Sequence, residues 1–272
     1  KDKYFMRLAL QQAKKSLGNT KTNPSVGCVI VKNGSILSLG STSFKGRPHA
    51  EYNAIKSSRF NLKNSNLYST LEPCSHYGKT PPCINQIIKK KIKKVFFSIN
   101  DPDSRSFNKC HKHLSKRGIQ VKKHILSQEV NTFYRSYVKS KNSKIPFITC
   151  KLAVSKDFYT VNKKNKWITN EFSRGRVHLL RANHDCILTS SKTIIDDNPR
   201  LTCRINGLKN RSPARVILDR NLSIPINSRI FTDGKKYSTF IFYNKNNHKK
   251  INLLNKLNIK TFKIPLNAEE NL

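Results

Sequence analysis

The sequence predicts an α/β protein built from two domains, and three observations carry that prediction. Short apolar runs of strand length alternate with helical stripes through both halves of the chain. A polar, basic run, Lys139-Ser140-Lys141-Asn142-Ser143-Lys144, interrupts the alternation near the middle and reads as a linker. The 272 residues suit two domains of about 100–200 residues each. The expected domains are residues 1–144 and 145–272.

Each element has a local cause. Phe5, Leu8, Ala9, Ala13 and Leu17 recur at helical spacing, so residues 4–17 are expected to be a helix. Val26–Val31 and Ile36–Leu39 flank Lys32-Asn33-Gly34, which signals a hairpin. Residues 49–57 read as a helix, 66–71 as a strand, and 83–91 as a helix opening just after Pro81-Pro82. Strand 94–99, helix 108–117, strand 119–125 and helix 128–139 complete the first half. In the second half, strands are expected at 146–154, 186–188, 213–218, 238–243 and 259–264. The strand at 186–188 is expected to be buried, and helices are expected at 170–180 and 247–257.

Composition excludes several classes. No stretch approaches the ~18 apolar residues of a membrane span, and the first residues lack the apolar run of a signal peptide. Seven cysteines without an export signal fit a reducing cytoplasm, where metal or catalytic roles outrank disulfides. The formal charge of +38 raises nucleic acid as a partner. However, the excess is mostly Lys in an Asn-rich chain, which is equally the mark of compositional drift on a solvated surface.

The chemistry concentrates in His49-Ala50-Glu51, Pro73-Cys74 and Pro82-Cys83. One His and two Cys are suitable zinc ligands, and three protein ligands leave the fourth position open, as in catalytic sites. Zinc brings the pKa of water towards 7. Glu51, two residues after His49, is placed to move protons without ligating. A buried histidine and two inert thiols are the bland alternative for any one of these residues, but the combined pattern argues against it. His76 is the nearby rival for a fourth ligand, which would make the site structural.

This His-x-Glu…Pro-Cys pattern resembles the zinc-dependent cytidine/deoxycytidylate deaminase superfamily. Eight residues separate its cysteines, and Thr70–Cys83 as a whole resembles the RibD family of riboflavin-biosynthesis proteins. Asn23–Val31, Pro48–Glu51 and Asp101-Pro102 fit the same family in order and spacing. So do Lys151–Asp157, Trp167–Thr169, Arg181–Thr193 and Asp196–Arg204. The resemblance implies a cytidine-deaminase-like three-layer α/β/α domain followed by an α/β reductase domain of dihydrofolate-reductase type. It implies zinc on His49, Cys74 and Cys83, with Glu51 as proton shuttle. Asn23, His76 and Lys79 would hold a small phosphorylated diaminopyrimidinone. It further implies NADPH contacts from Ala153, Trp167, Thr193 and Asp196, and substrate contacts from Asn165, Arg181, Leu201 and Arg204. A cytoplasmic homo-oligomer that engages neither membrane nor nucleic acid completes the expectation.

Several departures stand out. Ser155-Lys156-Asp157-Phe158 lacks the family's glycine, the stretch before Trp167 is shortened, and Arg220 stands where a Ser is expected after Asp219. No Gly-rich phosphate loop precedes Leu272, so the second domain is expected to be truncated or its reductase impaired. A deaminase acting alone, a tRNA deaminase and a basic binding module with structural zinc are the competing readings.

Overall fold

The computed structural model describes residues 1–143, 145–160 and 167–265. The chain divides into two compact units, Lys1–Cys150 and Lys151–Leu272, and each is described by itself.

In the first unit, α1 (Asp2–Ser16) carries Asp2 in its first turn and Lys14 and Lys15 in its last, complementing the helix dipole. Strands β1 (Gly27–Lys32) and β2 (Ser35–Ser41) form the expected hairpin. Asn33 and Gly34 take the positive φ values, 51° and 87°, that a two-residue turn requires. Then follow α2 (Ala50–Ser57), β3 (Asn66–Leu71), α3 (Cys83–Lys89), β4 (Lys94–Ile99), α4 (Cys110–Ser115), β5 (Gln120–Lys122) and α5 (Ser127–Asn142). The sheet order is β2-β1-β3-β4-β5, antiparallel in its first three strands and parallel from β3 onward.

Alternation along β1, β3 and β4 sends residues to two faces, and both are covered. Val29, Val31, Tyr68 and Phe96 pack with Phe5, Met6 and Ala9 of α1. Cys28, Ile30, Leu67, Val95 and Phe97 share the larger core with Ala50 and Ala54 of α2, Ile84 and Ile87 of α3, and Leu114 of α4. Three layers result. The run proposed as a linker is instead largely helical, because α5 continues to Asn142. Lys139 and Lys141 fall in its last turn, where cations favour the helix.

The second unit contains α6 (Glu171–Asn183), β6 (Cys186–Ser190), α7 (Ser191–Asp197), β7 (Ala214–Leu218), α8 (Arg229–Thr232), β8 (Thr239–Tyr243), α9 (His248–Lys256) and β9 (Lys260–Lys263). Asn170 caps α6, its Oδ1 accepting from Ser173 N at 2.9 Å. The strands form a parallel sheet in sequence order. One face of the sheet, with Ile217 and Ile241, packs on Ile194, Ile230, Phe231, Leu254 and Ile259. The other face carries exposed Leu188 and Phe262 and half-buried Phe240 and Phe242.

Two expectations fail here. Residues 146–154 form no strand, and Ile148 and Leu152 are exposed. Their β-branched composition supplies propensity, which by itself does not make a strand. β6 is not fully buried either: Cys186 and Leu188 are exposed because they lie on the sheet face opposite the core, while Ile187 between them packs against it.

Arg215 on β7 is fully buried in the layer beneath the sheet. Its Nη1 meets Asp233 Oδ1 at 2.5 Å and Arg200 O at 3.3 Å. Nε and Nη2 donate to Thr239 Oγ1, and Nη2 also donates to Tyr237 O.

Gly40 sets how closely α2 approaches the first sheet. A Cβ there would meet Ala50 O at 2.2 Å and Ala54 N at 2.5 Å, both backbone atoms that cannot give way cheaply. Gly40→Ala is expected to lower unfolding free energy by about 1–3 kcal/mol in urea titrations, the range for overpacking. An unchanged midpoint and slope would show that α2 does not rest on this contact.

Candidate active site

The start of α2, the end of β3 and the start of α3 meet at one point. His49 occupies the residue before α2, with extended φ −73° and ψ 161°. Glu51 lies in the first turn and is buried at 3% exposure. Cys74 follows β3 across Glu72-Pro73, and Cys83 is the first residue of α3, after Pro82. Ligand atoms of His49, Cys74 and Cys83 all lie within 4.8 Å of one another. His49 Nδ1 stands 3.5 Å from both sulfurs, and Cys83 N donates to Cys74 Sγ at 3.2 Å.

The electrostatics suit a metal and a proton carrier. The Cys74 thiol is pulled down to about 4, first by the hydrogen bond from the Cys83 side chain and then by His49, against the penalty of burial. Burial pushes the Glu51 carboxyl above the usual carboxylate range, with the nearby Cys74 adding to the shift. Glu51 Oε1 accepts from Ser69 Oγ at 3.2 Å, and Oε2 faces the Cys83 thiol at 3.5 Å. The carboxylate is therefore held at two points, ready to carry a proton between positions beside the ligand cluster.

A second tier holds the surrounding loops. Glu72, 2% exposed, accepts backbone N–H bonds from Asn108 and Cys110 at 2.9 Å and from Asp101 at 3.3 Å. Asp101 accepts from Asp103 N at 3.0 Å and from Tyr137 OH at 3.1 Å. The same loop brings buried Ser106 to His76, Oγ to Nδ1 at 2.8 Å. That bond occupies one nitrogen of the rival fourth ligand, and His76 is not part of the tripod. Asn23 donates to Gly46 O at 2.9 Å, and Gly46, at φ +88°, leaves no room for a Cβ beside the Asn23 side chain. Lys79 is exposed on the loop between the cysteines. Ser69 and Ser106 had no signal in the sequence, and Glu72 lay in the Thr70–Cys83 segment without an assigned role, since each acts through a partner 18 to 38 residues away.

In the second unit, Arg181, Arg204 and a third basic residue, His178, come together. Arg181 Nη1 stands 3.5 Å from His178 Nδ1 and donates to Thr202 O at 3.2 Å, while Arg204 N donates to His178 Nδ1 at 3.3 Å. Burial and then the Arg204 charge lower the Arg181 pKa, and burial followed by both arginines lowers that of His178. Mutually repelling cations held together suit a phosphate. His178 lies three residues before Arg181 on α6, a helical spacing that sequence alone allowed. Leu201 is buried with φ +57°. Thr193 and Asp196 share a face of α7. Ala153 is half-buried and Trp167 exposed beneath the Arg174 guanidinium, 4.8 Å from its ring centre. No described contact brings these two to α7. Asn165 lies outside the described residues.

The comparisons with known proteins agree with this geometry. Residues 1–99 match the family model for the cytidine and deoxycytidylate deaminase zinc-binding region, which sets the class of the first unit. Residues 146–269 match the RibD C-terminal domain. The riboflavin biosynthesis protein RibD of Aquifex aeolicus is 36% identical over 250 residues, 91% of this chain and 70% of that protein. RibD of Bacillus amyloliquefaciens is 38% identical over 89% of this chain and 65% of its own length. The crystal structure of a diaminohydroxyphosphoribosylaminopyrimidine deaminase/5-amino-6-(5-phosphoribosylamino)uracil reductase from Thermotoga maritima superposes with a TM-score of 0.83 at 32% identity. It covers 96% of this chain and 80% of the other. Acinetobacter baumannii RibD gives 0.84 at 31% identity, covering 99% and 76%. The chain belongs to the RibD family. It spans 65% and 62% of the Bacillus amyloliquefaciens and Chlamydia trachomatis relatives. No helix among the described residues is long and apolar enough to cross a membrane.

The donor set fits zinc: one imidazole nitrogen and two sulfurs, one of them held towards thiolate. Elemental analysis of the purified protein is expected to find about one zinc per chain. Cys83→Ala should lose most of it on dialysis, and full retention would remove Cys83 from the ligand set.

Proposed function

We propose that the chain is a bifunctional enzyme of riboflavin biosynthesis. Residues 1–144 would form a deaminase acting on 2,5-diamino-6-ribosylamino-4(3H)-pyrimidinone 5′-phosphate. Residues 145–272 would form the reductase domain, using NADPH to reduce the ribosyl chain to ribityl. The observation that carries the first activity is the buried Glu51 carboxyl, clamped between Ser69 and Cys83 beside a three-ligand group.

His49, Cys74 and Cys83 would hold zinc, which supplies a Lewis acid that makes water nucleophilic near neutral pH. Glu51 would take the protons of the attacking water and pass one to the ring nitrogen and one to the departing amino group, so that the C–O bond forms, the C–N bond breaks, the oxygen stays as ring carbonyl and the nitrogen leaves as ammonia. Its raised pKa suits both halves of that transfer. Asn23, His76 and Lys79 orient the substrate, with Ser106 fixing the His76 ring. Ala153, Trp167, Thr193 and Asp196 are assigned to the cofactor by their motif positions, and Asn165 and Leu201 to the substrate on the same ground. Arg181 and Arg204, joined by His178, would take the substrate phosphate. The reading includes a homo-oligomer in the cytoplasm that engages neither membrane nor nucleic acid.

Glu51→Gln is expected to keep its zinc and lose ammonia release by at least about 100-fold, the usual worth of a general acid–base. Undiminished turnover would remove Glu51 from the chemistry. Arg204→Gln is expected to raise the KM of NADPH-dependent reduction about tenfold, one charge-assisted contact, with ammonia release intact. Ammonia release without any NADPH oxidation in the unmodified protein would reduce the assignment to deaminase alone.

A further inference from the structure

Arg47 precedes Pro48-His49 and was not singled out by any motif. Its guanidinium crosses to the loop between the two cysteines, where Nη1 donates to Thr80 Oγ1 at 2.6 Å. A Cβ built on Gly78 would lie 3.4 Å from Arg47 Nη2 and 3.9 Å from His76 Nε2. The guanidinium and the imidazole therefore flank one spot, left open because residue 78 has no side chain. Lys79 is the next residue along the loop.

The charge balance at this spot is one-sided. Arg47 forms no ion pair among the described residues, whose salt bridges involve other groups. The Glu51 and Glu72 carboxylates are buried and committed to Ser69, Cys83 and backbone amides. A half-buried guanidinium spends one described hydrogen bond on a threonine hydroxyl and has other N–H groups to offer. A ligand that satisfies them needs several anionic oxygens in one plane with the fork, and a phosphate monoester supplies these.

We propose that Arg47 is a phosphate-binding residue of the deaminase site and sets its preference for a phosphorylated pyrimidine over the dephosphorylated compound. The proposal rests on the deaminase reading given above. It adds a specific source of discrimination: Arg47 and Lys79 approach one phosphate from two sides of the Gly78 gap, with His76 Nε2 beside it.

Two measurements on the whole chain test it. The first needs no turnover. Phenylglyoxal modifies accessible arginines, and peptide mass spectrometry reads Arg47 separately from Arg181 and Arg204. Near-saturating ribose 5-phosphate is expected to slow modification of Arg47 about fivefold or more, while ribose does not. An unchanged rate at Arg47 overturns the proposal. The second compares ammonia release from the phosphorylated and dephosphorylated pyrimidines. In Arg47→Gln the ratio of their kcat/KM values is expected to fall at least about tenfold, through the KM of the phosphorylated compound. If Arg47 were only a strap holding Thr80, both compounds would suffer alike and the ratio would stand, which overturns the proposal. If the unmodified protein released ammonia from neither compound, the deaminase reading would fail, and the chemical protection would still decide whether Arg47 binds phosphate.

Discussion

The buried Glu72 carboxylate is the constraint on which the first unit's site depends. It sits directly ahead of Pro73-Cys74, at the exit of β3, and collects three backbone N–H groups from the loop that follows β4. The donors of Asp101 and Cys110 would otherwise be buried without partners, at a cost of about 1–3 kcal/mol each. One side chain thus fixes the path of the chain into Cys74, a member of the candidate metal group. It also fixes the loop whose Ser106 orients His76. Burial raises the Glu72 pKa while the amides oppose that shift, so the three N–H bonds offset part of the cost of keeping a carboxylate away from water.

The tripod was legible in the sequence because its ligands sit next to strong local signals. His49 precedes a helix, Cys83 opens one behind two prolines, and Cys74 follows a strand by three residues. Local chemistry and global placement agree there. The supporting residues were not legible because their roles exist only across the sheet: Ser69 is one strand residue among several, and its hydroxyl gains meaning from Glu51 on a helix 18 positions earlier. Likewise His178 became part of a site only when Arg204 folded back onto α6. The misread elements have equally physical causes. Residues 139–142 are polar enough for a linker yet helical, since solvated Lys and Ser can extend α5. Residues 146–154 have the composition of a strand but form none, since β-propensity is a weak and context-dependent guide.

The charge of +38 is also better understood. The share that the proposed sites would use is small and local: Lys79 and Arg47 by the cysteine loop, and Arg181 and Arg204 by His178. Around His178 the arginine charges oppose one another, a cost that a bound anion would relieve. Most of the remaining lysines lie exposed on helices and loops, where they add long-range attraction for anionic small molecules and little to the fold.

Arg215 has a different kind of consequence. A cation in the core contributes little net stability once its desolvation is counted, and replacing such a group with a well-packed apolar one is often neutral or better. What it does supply is register. Side chains alternate along β7, so pairing one residue out of step with β8 would turn the guanidinium to the half-bare face of the sheet, away from Asp233, Thr239 and the carbonyls of Arg200 and Tyr237. The flanking residues Ala214, Val216 and Leu218 would tolerate that slip far better than Arg215 does. The buried charge therefore acts as a key that admits one alignment of the parallel strands. That holds α6, β6 and α7, and the residues they carry, to a single set of neighbours.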